Sequence, residues 1–172
     1  MRRAGTPPSR ISRRSFLSTA ATLAGAASAT DLLAAGRIVR QQAPPSDRVA
    51  LAVVGAGGRG ADNIREAAAA GADIVALCDC DEQNAAESFA KYPQARKYRD
   101  WRRMLDAEKA IDAVLVATPD HSHAIVSVAA MQLGKHVYSE KPLARSIWEV
   151  RQMAQAATAS RVATQMGTQG HA

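Results

Sequence analysis

Hydrophobic positions along this chain fall into short, nearly continuous runs separated by helical stretches of mixed polarity. The first run, Arg48 to Val54, ends at a glycine cluster, and a helix is predicted from Arg59 to Ala70, stopped by Gly71. Ile74 to Leu77 reads as a short buried strand with Asp79 just past it, and Asp81 to Lys91 reads as a helix ending near Pro93. Tyr98 marks a short third strand, and Asp100 is placed to cap a helix carrying Trp101, Met104 and Leu105. Ala113 to Ala117 is apolar throughout, as expected of a parallel strand covered on both faces. His121 to Leu133 reads as a helix ended by Gly134, and His136 to Ser139 as a strand. Ser146-Ile147-Trp148-Glu149 has the spacing of a capping box, opening a helix to Thr158, and Arg161 to Met166 reads as a last strand before Gly167. Strands alternate with helices throughout, so the expected fold is α/β, a doubly wound parallel sheet.

The polar clusters track the carboxyl ends of these strands: Asp79, then Thr118 to His123, then Glu140-Lys141-Pro142, then Gln165 to Gln169. Ligands on open parallel sheets bind beyond those ends, so the clusters point to one site. The first run supplies its most specific part. Val49 to Gly60 reads V-A-L-A-V-V-G-A-G-G-R-G, with Gly55, Gly57 and Gly60 in the G-x-G-x-x-G spacing and Gly58 and Arg59 between the last two. Asp79 follows Gly60 by nineteen positions. A strand, this glycine loop, a helix and an acid at the tip of the next strand form a dinucleotide-binding fingerprint. Gly55 permits the tight turn, Gly57 lets the backbone approach a pyrophosphate, and Gly60 allows close packing of the helix. The helix start offers unpaired N–H groups and a positive dipole end to phosphate. Asp79 favours NAD, because a carboxylate accepts from a ribose 2′-OH and repels a 2′-phosphate; Arg59 keeps NADP open.

Composition changes this picture in one respect. The net charge of +6 over 172 residues invites a nucleic-acid reading, but residues 1–40 hold seven arginines against Asp31. That leaves 15 of the 22 basic and 15 of the 16 acidic residues in the rest, which is neutral and carries no footprint for DNA or RNA. The basicity belongs to a leader. Residues 1–29 have the form of an export signal: basic residues, a mild apolar run from Phe16 to Ala27, then Ala27-Ser28-Ala29. Ser12-Arg13-Arg14-Ser15-Phe16-Leu17 resembles the twin-arginine signal, with Ser18 where a lysine is usual. Residues 30–47, with Gln41, Gln42, Pro44 and Pro45, read as a linker, and residues 48–172 as the Rossmann-like domain. Periplasmic or extracellular localisation and a partner in the twin-arginine export machinery follow from that leader.

Cys78 and Cys80 flank Asp79 and are expected to be small buried apolar residues on one strand face; neighbours at i and i+2 make a poor disulfide. His121 and His123 do not share a helix face, so no metal site is expected.

At Glu140-Lys141-Pro142 the pattern resembles the N-terminal domain of the Gfo/Idh/MocA oxidoreductase family, along with Gly55 to Gly60 and Thr118 to His123, which is similar to that family's T-P-N-x-x-H with Asp120 in place of asparagine. The resemblance spans residues 48–172. It implies NAD or NADP as cofactor and hydride transfer to or from a carbon of a sugar, cyclitol or polyol. It implies that Lys141 contacts substrate and assists proton transfer, that Glu140 lies on the nicotinamide side, and that Thr118, Pro119 and His123 line the dinucleotide, with Pro142 completing the motif. A lysine at a strand end beside a bound cofactor can be desolvated for that work. The family continues into a second domain that supplies substrate contacts and oligomerisation. That domain is not among these 172 residues, so the chain is read as a fragment, a truncated product or a stand-alone domain, and no oligomer is expected of it. Three functions stay open: the cofactor domain of an exported oxidoreductase, a glycosidase of the same family that uses NAD transiently, and a non-enzymatic dinucleotide-binding module.

Overall fold

The computed structural model describes residues 48–168. The leader and linker assigned to residues 1–47 lie outside them, as does the end of the polar cluster at Gln169.

Among the described residues, six strands and five α-helices alternate. They are β1 (Ala50–Val54), α1 (Arg59–Ala69), β2 (Asp73–Cys78), α2 (Ala86–Lys91), β3 (Arg96–Tyr98), α3 (Trp101–Ala107), β4 (Ala113–Val116), α4 (His123–Gln132), β5 (His136–Glu140), α5 (Ile147–Ser160) and β6 (Thr164–Gly167). The strands form one sheet in the order β3-β2-β1-β4-β5-β6. Every neighbouring pair is parallel. The order reverses between β1 and β4, the switch point at which open α/β sheets bind ligands.

Alternation along the central strands builds two cores. Ala52, Val54, Ala76, Cys78, Val114 and Val116 face Met104 and Leu105 of α3, Val126 and Met131 of α4 and Met153 of α5. Leu51, Val53, Ile74, Leu77 and Leu115 face Ile64 of α1 and Ala85. A bulge between Leu51 and Ala52 skips Val75 on β2, so Leu51 pairs with Ile74 and Ala52 with Ala76. Burial on both faces explains why these strands read as continuous apolar runs.

Local chemistry sets the boundaries, and it corrects four of the expected ones. The expected helix from Asp81 begins only at Ala86. The Asp81 carboxylate accepts from the Gln83 and Asn84 amides and holds that stretch in turns. His121 lies in a single 3-10 turn, Asp120–Ser122, ahead of α4. The α5 helix outlasts Thr158, because its end is set by Arg161 in the left-handed conformation (φ 56°), which delays β6 to Thr164. Cys78 is buried but Cys80 is exposed, because β2 ends at Cys78 and the strand alternation does not reach position 80. Two caps match the sequence: Asp100 accepts from the Arg102 amide, and Ser146 and Glu149 form the capping box of α5. The Arg102 amide, more than any other neighbour, holds the Asp100 carboxyl below its usual range.

Candidate functional site: a glycine loop at the switch point

Between β1 and α1 the chain turns through Gly55 (φ 89°), and the Gly55 amide donates to the Cys78 carbonyl at 2.8 Å. A Cβ at position 55 would sit 2.5 Å from the Ala117 carbonyl oxygen, and one at Gly60 would fall 1.7 Å from the Gly55 carbonyl oxygen. Only glycine permits that closeness, so the start of α1 folds back directly onto the turn. At Gly57 a Cβ would meet the Asn84 side-chain nitrogen at 2.2 Å, so its absence serves an internal contact as well as any approach by a ligand.

The loop is braced from two sides. The Ala56 and Gly57 amides donate to Asp79 Oδ2 at 2.9 and 3.2 Å, and the Asp81 amide donates to Asp79 Oδ1 at 3.0 Å. Ser88 Oγ donates to the Ala56 carbonyl at 2.6 Å from α2. With these bonds in place, α1 begins at Arg59 with Gly58 before it and no side-chain cap; α2 and α4 also lack one, whereas α3 and α5 have one. An uncapped helix start next to a glycine turn is a phosphate site.

A cleft of about 500 Å³ opens in front of this loop, walled by Gly55, Gly57, Asp79, Asn84, Thr118 and Pro119. Thr118 Oγ1 is buried with no hydrogen-bond partner, an orphan polar group on the cleft wall. Uncapped amides, a loop that only glycines allow, a carboxylate at its rim and an unsatisfied hydroxyl together fit a dinucleotide. The residues that would hold it are Gly55, Gly57, Gly58, Gly60, Asp79, Thr118 and Pro119. Asp79 spends three acceptor positions on main-chain amides. A carboxylate offers about four, so one remains for a ribose hydroxyl.

The other expected site residues fall on the β4–β5 side, and Arg59 and His123 are placed differently from expectation. Arg59 does not turn toward Asp79. Its Nε lies 3.4 Å from Glu140 Oε1 and its Nη1 3.8 Å from Asp62, so it is held on the β5 side of the loop, away from the place where a 2′-phosphate would sit. Glu140 lies at the end of β5, is 5 % exposed and accepts from Asn63 Nδ2 at 2.7 Å, so its carboxylate braces α1 against β5. His123 is buried, with both ring nitrogens against main-chain carbonyls, and does not line the cleft. Lys141 is exposed, joined to Pro142 by a cis peptide, and makes no ion pair among the described residues.

Sequence reasoning missed Asn63, Asn84 and Ser88, and it read Gly167 only as part of the polar cluster after the last strand. Asn63 and Ser88 are polar residues on the buried sides of α1 and α2, beside Ile64 and Ala85. A polar residue on the inward face of a helix next to a ligand loop was the available signal. Gly167 leaves room for Tyr138 and Glu140, since a Cβ there would lie 2.5 Å from the tyrosine oxygen and 2.9 Å from the carboxylate.

A family model described as an oxidoreductase family with an NAD-binding Rossmann fold matches residues 49–168. Inositol 2-dehydrogenase of Salmonella typhimurium is 35 % identical over 95 residues, 54 % of this chain and 28 % of that protein. Inositol 2-dehydrogenase 2 of Saccharopolyspora erythraea is 40 % identical over 96 residues, 55 % of this chain and 28 % of that protein. The chain therefore spans under a third of the length of these curated relatives. Among solved structures, the WlbA dehydrogenase from Bordetella pertussis, in complex with NADH and UDP-GlcNAcA, superposes with a TM-score of 0.66 at 27 % identity, covering 72 % of this chain and 38 % of that one.

The two cysteines give a direct check on the cleft. Burial first, and the Asp79 charge second, push the Cys78 thiol up to about 12, so it stays protonated and unreactive at neutral pH. Cys80 is exposed on the cleft wall. Titration with an aromatic disulfide reagent at pH 8 is expected to count one thiol in the native protein and two in denaturant. Two fast native thiols contradict the buried position of Cys78.

Proposed function

The chain belongs to the Gfo/Idh/MocA oxidoreductase family, of which residues 49–168 are the NAD-binding Rossmann domain, and from that premise we propose that it is the cofactor-binding part of an exported enzyme that oxidises or reduces a carbinol carbon of a sugar or polyol. The observation that carries this reading is the uncapped glycine loop beside the switch point, braced by the Asp79 carboxylate at the end of β2. The names of the relatives, inositol dehydrogenases among them, supply the substrate class.

In this reading the Gly58 and Arg59 amides at the start of α1 take the pyrophosphate, and the free acceptor position of Asp79 takes a ribose hydroxyl. NAD held there would supply the hydride chemistry at the substrate carbon. Lys141 Nζ, exposed at the end of β5, handles the proton of the substrate hydroxyl. The rest of the substrate site belongs to the portion of the relatives that this chain does not cover. NAD is favoured over NADP by two features. A 2′-phosphate would be repelled by the Asp79 carboxylate, and Arg59 is held by Glu140 on the opposite side of the loop.

Calorimetric titration of the chain is expected to give NAD binding at least about tenfold tighter than NADP, and Asp79→Ala is expected to weaken NAD by about tenfold or more, the scale of one charge-assisted hydrogen bond. Tighter binding of NADP overturns the assignment of Asp79. Export rests on Arg13-Arg14 followed by the Phe16 to Ala27 run. Cell fractionation is expected to find the chain outside the cytoplasm and the Arg13→Lys, Arg14→Lys double variant retained inside. Equal export of both contradicts the twin-arginine route.

A further inference from the structure

His123 opens α4 and is 1 % exposed. Its Nδ1 lies 2.6 Å from the Pro142 carbonyl oxygen and its Nε2 lies 2.6 Å from the Thr118 carbonyl oxygen. Carbonyl oxygens only accept, so each contact calls for an N–H of the ring. A neutral imidazole has one such hydrogen and a protonated ring has two. Either form leaves no ring nitrogen for a ligand. The ring instead spans the main chains of the two loops that leave β4 and β5, which carry Thr118-Pro119 and Lys141-Pro142.

The two ends of this bridge are not equally dependent on it. The Thr118 loop has bonds of its own: Ser122 N and Ser122 Oγ both donate to the Pro119 carbonyl at 2.9 Å. The β5 loop is fixed at its flanks, where Asn63 and Arg59 hold Glu140, and Glu149 accepts from the Arg145 and Ser146 amides. Between those flanks, Leu143 and Ala144 pack against the core, and the polar tether among the described residues is the His123 contact to Pro142.

We propose that His123 is a positioning residue that fixes the Lys141-Pro142 segment at the rim of the cleft, and so sets Lys141 against the nicotinamide half of the dinucleotide without touching the dinucleotide itself. The proposal rests on the dinucleotide reading above. In that reading Asp79 marks the adenosine side of the switch point, which leaves the β4–β5 side for the nicotinamide half.

The test compares NAD with ADP-ribose, which lacks the nicotinamide, on the wild-type chain, His123→Phe and His123→Gln, together with amide hydrogen exchange at Lys141, Leu143 and Ala144. Loss of the tether is expected to weaken NAD by about tenfold in His123→Phe, the scale of one buried hydrogen bond. ADP-ribose affinity should be unchanged and exchange at the three loop amides should accelerate. His123→Gln, which keeps a donor, should recover part of both effects. Equal weakening of NAD and ADP-ribose overturns the proposal, because the ring would then support the whole domain. Unchanged NAD affinity with unchanged loop exchange overturns it as well. Should His123→Phe fail to fold, the same comparison in His123→Gln decides it. A wild-type chain that binds neither ligand refutes the dinucleotide reading instead. In that case loop exchange alone decides, and no acceleration in either variant overturns the tether.

Discussion

The Asp79 carboxylate is the acceptor on which the glycine loop closes. Two successive amides, of Ala56 and Gly57, converge on one of its oxygens, and the next turn of chain closes on the other through Asp81. Without that acceptor two buried donors would be left unsatisfied, each a cost of about 1–3 kcal/mol. With it, the loop is fixed against the end of β2, and α1 starts with no side-chain cap, its Gly60 and Ala61 amides donating to the Gly57 and Gly58 carbonyls. Gly55 and Gly60 are required by the same arrangement, since the turn and the helix start touch backbone to backbone. Asp79 therefore serves the apo fold and the expected ligand through one side chain, and substitutions there act on both.

A second set of polar contacts ties this loop to the far side of the switch point. Glu140 takes Asn63 from α1 and lies near Arg59, while Gly167 on β6 leaves room for its buried carboxylate. His123 joins the β4 loop to the β5 loop through main-chain carbonyls. The motif residues that the sequence groups as cofactor contacts thus divide in the structure. Asp79, Thr118 and Pro119 face the cleft, whereas Glu140 and His123 hold the elements that form it.

Much of this was legible in the amino-acid order. Continuous apolar runs announced parallel strands because both faces of β1, β2 and β4 are buried. The glycine spacing with Asp79, and the Ser146 to Glu149 capping box, each rest on local geometry that few other residues satisfy. What stayed hidden depends on distant contacts. Nothing near Glu140 in sequence says that Asn63 sits beneath it, 77 positions away. Nothing near His123 says that both its nitrogens meet carbonyls. Boundaries failed where one side chain redirected the backbone, as Asp81 does before α2, or where one residue took a left-handed conformation, as Arg161 does after α5.

The most direct measurement is amide nuclear magnetic resonance of the chain during titration with NAD. The account predicts saturable shifts concentrated at Gly57, Gly58, Arg59 and Asp79, with the amides of the C-terminal half of α5 left in place. Binding that leaves the glycine loop amides unmoved, or no binding at all, would contradict it.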